Sequence, residues 1–270
     1  MPDTQTDGRP VEPDYGMLAN AQLLDRGPRY TETPPDPYAP DSPFIAEPWN
    51  MVTASFFVLI VVVWLVRLRG RYRTFPFLMT CLPILFVGGV GGTLYHGLRT
   101  RQLYFFLDVI PIQVLALAGT VYLAFRLWRG SSWLYLAGAI GLSLGVNRLL
   151  FSLVAPQNRQ LAINLNYAGL AVVVVFPMVF VLIRTRFRNL GLVVAALTSF
   201  GIAWFFRLVD QYMGVYLPMG SHWLWHTFGA ISVALLIEFF YRVERDGLTT
   251  TQPLAASREP SRGAASGRPQ

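Results

Sequence analysis

Histidine occurs three times in the 270 residues. Two of the three stand four apart in Ser221-His222-Trp223-Leu224-Trp225-His226, a spacing that stacks both imidazoles on one face of a helix, one turn apart. The third, His96, closes another apolar segment, and Asp108 lies in a further one between Leu107 and Val109. Three neutral imidazoles suit Zn²⁺, which keeps its fourth position for water and lowers the pKa of that water to ~7. The expected metal ligands are therefore His96, His222 and His226. Asp108 is expected to take the water proton and pass it to a leaving amine. Thr93, one turn before His96, has two readings: its hydroxyl aims at an oxyanion, or it bonds back to its own helix. The alternative for the whole set is a group of packing histidines and a structural carboxylate. An ionisable residue inside an apolar run is read as functional by default.

The elements that must position these residues are membrane helices. The chain is 53% hydrophobic and only 14% charged, outside the range of an ordinary soluble domain. Seven apolar stretches each approach the ~20 residues that cross a ~30 Å hydrocarbon core. They run from about 49 to 66, 75 to 95, 103 to 126, 133 to 154, 161 to 183, 190 to 209 and 222 to 241. The expected fold is an all-α membrane protein, a seven-helix bundle. The net charge of +7 comes from arginines alone, since lysine is absent, and they cluster between the apolar runs. That distribution fits membrane topology rather than nucleic-acid binding. By the positive-inside rule the N-terminus is expected outside and the C-terminus in the cytoplasm, with all four site residues toward the outer side.

Three regions follow: a polar tail over 1–43 expected to be disordered or loosely packed, a membrane domain over 44–245, and a second disordered tail over 246–270. The N-terminal stretch lacks the pattern of a cleavable signal peptide. The single cysteine, Cys81, excludes an internal disulfide and reads as a small packing residue.

Other polar residues have weaker assignments. Gly88, Gly89, Gly91 and Gly92 read as a close helix contact. Glu47, at the mouth of the first span with Trp49 and Asn50, either meets a helix dipole or helps bind a second cation. Arg207 and Asp210 read as an ion pair, or as a contact to a substrate headgroup. Asn147 and Arg148 are expected to pair within the bundle.

In order along the chain, Glu47-Pro48-Trp49-Asn50, Gly92-Thr93-Leu94-Tyr95-His96, Leu107-Asp108-Val109-Ile110-Pro111, Asp210 and His222-Trp223-Leu224-Trp225-His226 with Gly229 resemble the alkaline ceramidase family. That family belongs to the wider group of seven-span hydrolases that includes the adiponectin receptors. The resemblance implies zinc held by His96, His222 and His226, with Asp108 handling the water proton. It implies hydrolysis of the amide of ceramide or a similar N-acyl lipid to a free fatty acid and an amine. The partners implied are the bilayer and a membrane lipid amide. The family's usual serine one turn before the histidine is Gly92 here, with Thr93 as the substitute. The acidic stretch that would accompany calcium is not evident beyond Glu47, since Asp36 and Asp41 do not fall in its pattern.

A rival reading is a receptor or signalling module that keeps the metal for structure. A haem carrier fits poorly, because histidines one turn apart cannot grip opposite faces of one haem and no Cys-x-x-Cys-His occurs. No internal repeat suggests a transporter.

Overall fold

The computed structural model describes residues 23–248, with the side chains of residues 129, 159 and 160 excepted. The described residues form helices without strands. Helix α1 (Pro48–Ala54) and helix α2 (Phe56–Arg67) meet at Ser55 and together make the first span. A 3-10 turn (Tyr72–Thr74) leads into α3 (Pro76–Leu98), followed by α4 (Gln102–Trp128), α5 (Ser132–Leu153), α6 (Arg159–Arg184), α7 (Leu190–Met213) and α8 (His222–Asp246). Among the described residues seven helices are long and apolar enough to cross a membrane, as the hydropathy pattern predicts. Their ends fall within a few residues of the expected ones, and the last continues to Asp246.

Proline does not break these helices. Pro83, Pro111 and Pro177 all lie inside them, as membrane helices tolerate when neighbours satisfy the freed backbone groups. The glycines of α3 do what small residues do between apolar helices. A methyl at Gly89 would sit 2.9 Å from the Val58 backbone nitrogen, and one at Gly91 would sit 2.5 Å from the backbone of Leu107. Helix α3 therefore approaches the first span and α4 backbone to backbone. The apolar core at the opposite end from the histidines joins Trp64, Leu68, Phe75, Leu78, Leu82, Leu123, Met178 and Phe239.

Part of the expected tail is structured. The expectation for residues 1–22 and 249–270 lies outside the described residues, but residues 23–43 belong to the fold. Leu23, Asp25, Tyr30 and Thr33 are buried, and the segment crosses the end of the bundle at which the first span begins. The Pro- and Asp-rich composition that reads as a free tail instead supplies turns and capping groups. Glu32 accepts from the backbone N–H groups of Trp49 (2.7 Å) and Asn50 (2.9 Å), so its carboxylate caps α1.

Candidate metal centre

Two helices supply the trio. His96 is in the last turn of α3, and His222 and His226 occupy the first two turns of α8. All three are buried, with exposures of 0%, 1% and 4%. One ring nitrogen from each lies within 4.8 Å of the others, and the His96 and His226 Nε2 atoms are 3.1 Å apart. Tetrahedral zinc with Zn–N bonds of about 2.0–2.1 Å would hold two nitrogens about 3.3 Å apart. His222 Nδ1 is buried and has no hydrogen-bonding partner, which is costly for an imidazole without a ligand. The donor set therefore fits a metal ion: three buried histidines close together could hold one.

The backbone around each histidine explains its position. Residues entering the first span hydrogen-bond to the end of α3, with Ala46 N–H to Gly97 O at 2.8 Å and Glu47 N–H to His96 O at 3.1 Å. These bonds satisfy carbonyls that a helix end leaves unpaired. They also set Glu47 beside His96, with Oε2 2.5 Å from Nδ1. A carboxylate at Nδ1 accepts that proton and leaves the Nε2 lone pair pointing at the centre. This is the carboxylate–histidine pairing that orients metal ligands and raises their basicity.

Glu47 is itself held from four sides. Its Oε1 accepts from Thr33 Oγ1 (2.6 Å) and Arg99 Nη1 (2.5 Å), and its Oε2 also accepts from Asn50 Nδ2 (3.1 Å). Arg99 Nε donates to Asp25 Oδ2 at 2.7 Å, and Arg99 Nη2 donates to the Pro28 carbonyl at 2.9 Å. Burial pushes the Glu47 carboxyl up, but Arg99 and His96 outweigh it and hold the group at about 2. The second-cation reading of Glu47 is thus corrected. The cation between Asp25 and Glu47 is the Arg99 guanidinium, so the calcium expectation has no support at these carboxylates. Arg99 takes a left-handed conformation (φ 51°) at the end of α3, a strained choice for a side chain that its ion pairs offset.

Asp210 is corrected as well. Rather than pairing with Arg207, its Oδ1 accepts from the N–H groups of Ser221 (2.7 Å) and His222 (2.8 Å), and its Oδ2 from Thr31 (2.9 Å). A carboxylate at a helix start is favoured by the unpaired N–H groups there, and this one fixes where α8 begins. Gly220 precedes it at φ +65°, and a side chain there would run into Asp210 and Thr31. Tyr30 completes the cover, stacked on His222 with ring centroids 3.7 Å apart and an 18° tilt.

Asp108 is half-buried. It lines a cavity of about 590 Å³ whose wall also includes His226, Tyr30 and Arg207. From the histidines the cavity runs between α3, α4, α6 and α8 past Leu82, Leu85, Met178 and Leu236 to Phe77 and Phe240. The distance from His226 to Phe240 along α8 is about 21 Å. Cys81 and Asn147 contribute to its wall, while Arg148 is exposed.

Thr93 is placed differently from the oxyanion reading. Its hydroxyl donates to the Gly89 carbonyl of its own helix at 2.7 Å, the back-bond common for threonine in helices. Gly92 is the residue facing the carboxylate. A methyl there would lie 2.6 Å from Asp108 Oδ1, so the space beside this position is taken by Asp108 itself. Composition and periodicity missed Asp25, Tyr30, Thr33 and Arg99, whose partners are far away in sequence. The one signal for Glu47 was its place in the Glu47-Pro48-Trp49-Asn50 motif.

Compared with known proteins, the chain matches no family model, and no curated protein is detectably similar to it.

Proposed function

We propose that the protein is an intramembrane zinc-dependent hydrolase that cleaves the amide of ceramide or a similar long-chain N-acyl lipid, as the likeness of its ordered motifs to the alkaline ceramidases implies. The observation that carries this reading is three buried imidazoles, one ring nitrogen of each within 4.8 Å of the others, at one end of a long apolar cavity shared with Asp108. Zinc, when bound, supplies Lewis acidity toward a carbonyl and acidifies a water ligand to near-neutral pKa.

The chain's own residues do the rest. His96, His222 and His226 hold the ion, and Glu47 keeps the proton on His96 Nδ1. The apolar arm receives the acyl chain, and its desolvated walls strengthen every charge interaction at the amide. Asp108 takes a proton from water as the oxygen adds to the carbonyl carbon. It returns that proton to nitrogen as the C–N bond breaks. The products are a fatty acid and an amine. Tyr30 and the segment around it shut out bulk water from the end of the bundle. The N-terminus-outside orientation belongs to the same proposal and rests on the arginine distribution.

The test is metal analysis of the purified protein together with a panel of long-chain amides. Bound zinc with release of fatty acid, both lost in His222→Ala, is the expected result. Full turnover in a metal-free variant rules the reading out.

A further inference from the structure

Arg207 is a buried charge at this end of the bundle that neither the trio nor Asp108 explains. It stands on α7, is 5% exposed and contributes to the cavity wall. Its Nε donates to Asn164 Oδ1 at 2.8 Å. Its guanidinium carbon lies 5.0 Å from the ring centroids of both Tyr167 and Trp225, and 6.0 Å from that of Tyr30. No ion pair among the described residues includes it. Asp108 shares the cavity wall and attracts the guanidinium electrostatically, but the two make no ion pair.

A guanidinium cannot shed its charge. Holding one in a membrane interior is expensive, and such residues mark ligand pathways. An amide oxygen and three aromatic faces recover part of that cost. Among the described residues they leave no carboxylate within ion-pairing distance for a planar donor fork whose geometry matches one.

The position of the fork sorts the two halves of a substrate. Tyr30 stacks on His222 and also lies near Arg207, and Trp225 precedes His226. Arg207 is thus at the histidine end, while the apolar arm leads away toward Phe240. An acyl chain in that arm puts its amide at the trio and its amine half at Arg207.

We propose that Arg207 is the receptor for a carboxylate on the amine half of the lipid, which makes long-chain N-acyl amino acids the preferred substrate class. This rests on the amide-lipid reading above, and narrows it from neutral amides toward acidic ones.

The test uses two ketomethylene analogues, in which CH₂ replaces the amide N–H so that neither is hydrolysed. One mimics N-oleoylglycine and the other the neutral N-oleoylethanolamine. Their Kd values are measured by calorimetry on the full-length, metal-loaded protein in nanodiscs, with oleic acid as a third ligand. The acidic analogue is expected to bind about 10- to 100-fold more tightly than the neutral one, the range of a charge-assisted hydrogen-bonded pair. Arg207→Gln should remove that advantage, bringing the ratio of the two Kd values measured on the variant close to one. Arg207→Lys should keep only part of it. Equal affinities in the wild type overturn the proposal without recourse to any variant. So does an advantage that survives Arg207→Gln, or one confined to oleic acid, which would assign the fork to the acyl product. An acidic preference in a protein that turns over no amide sinks the hydrolase reading instead and leaves the carboxylate receptor in place.

Discussion

The Glu47 carboxylate and the His96 imidazole are 49 positions apart and meet at 2.5 Å, both fully buried. The pair links the segment over residues 23–43 to the three-histidine cluster, because the same carboxylate binds Thr33 and Arg99.

Glu47→Gln keeps the shape of the side chain but removes the charge that orients His96. It should weaken metal binding about 10- to 100-fold while leaving the three histidines in place. Zinc competition against a chromophoric chelator measures this directly, and an unchanged affinity would show that the contact is structural only.

His222→Ala removes one of three ligands and the ring on which Tyr30 stacks. Metal content should fall to background and amide hydrolysis should fall with it. Elemental analysis and a fatty-acid release assay on one preparation check both.

Arg99→Met leaves Asp25 and Glu47 buried without their counter-charge. The cost of breaking such a set is about 3–5 kcal/mol, read as a lowered unfolding midpoint in detergent. Adding Asp25→Asn should recover part of it. The pH dependence has a definite sign. The Glu47 pKa is lowered from 4.5 to about 2. Its contribution to stability is fully present above about 4.5 and is lost as the pH falls toward about 2.

Thr93→Ala should leave hydrolysis within about twofold, since the hydroxyl serves only the Gly89 carbonyl. Gly92→Ser should reduce it far more with metal content unchanged, because the added carbon meets Asp108 Oδ1. Parallel turnover and metal measurements separate the two; a large loss in Thr93→Ala would restore the oxyanion role.

The bundle was legible because seven apolar runs of about 20 residues match a spanning helix and are about twice the length of a barrel strand. The trio was legible because His222 and His226 share a helical face and His96 closes a span that alternation returns to the same end. Other features depend on contacts that no local pattern encodes. Arg207 and Asp210 are three apart and look like a helical ion pair. Asp210 nevertheless serves the amide groups that begin α8, which are an alternative partner invisible to spacing. Asp25, Tyr30 and Thr33 lie in a Pro- and Asp-rich segment with no periodicity, and only the assembled helix ends give them something to bury against. Ser55 divides the first span into two helices, and its side chain bonds back to the Val52 carbonyl at 2.6 Å.

The contact of Tyr30 with His222 joins one of the earliest described residues to the final helix. On the ribosome, elements emerge and fold from the N-terminal side, so the opening segment must wait for nearly the entire polypeptide to be translated and inserted. Assembly of the three-histidine cluster is accordingly a late event in biogenesis, and a product that stops short of α8 lacks two of its three imidazoles.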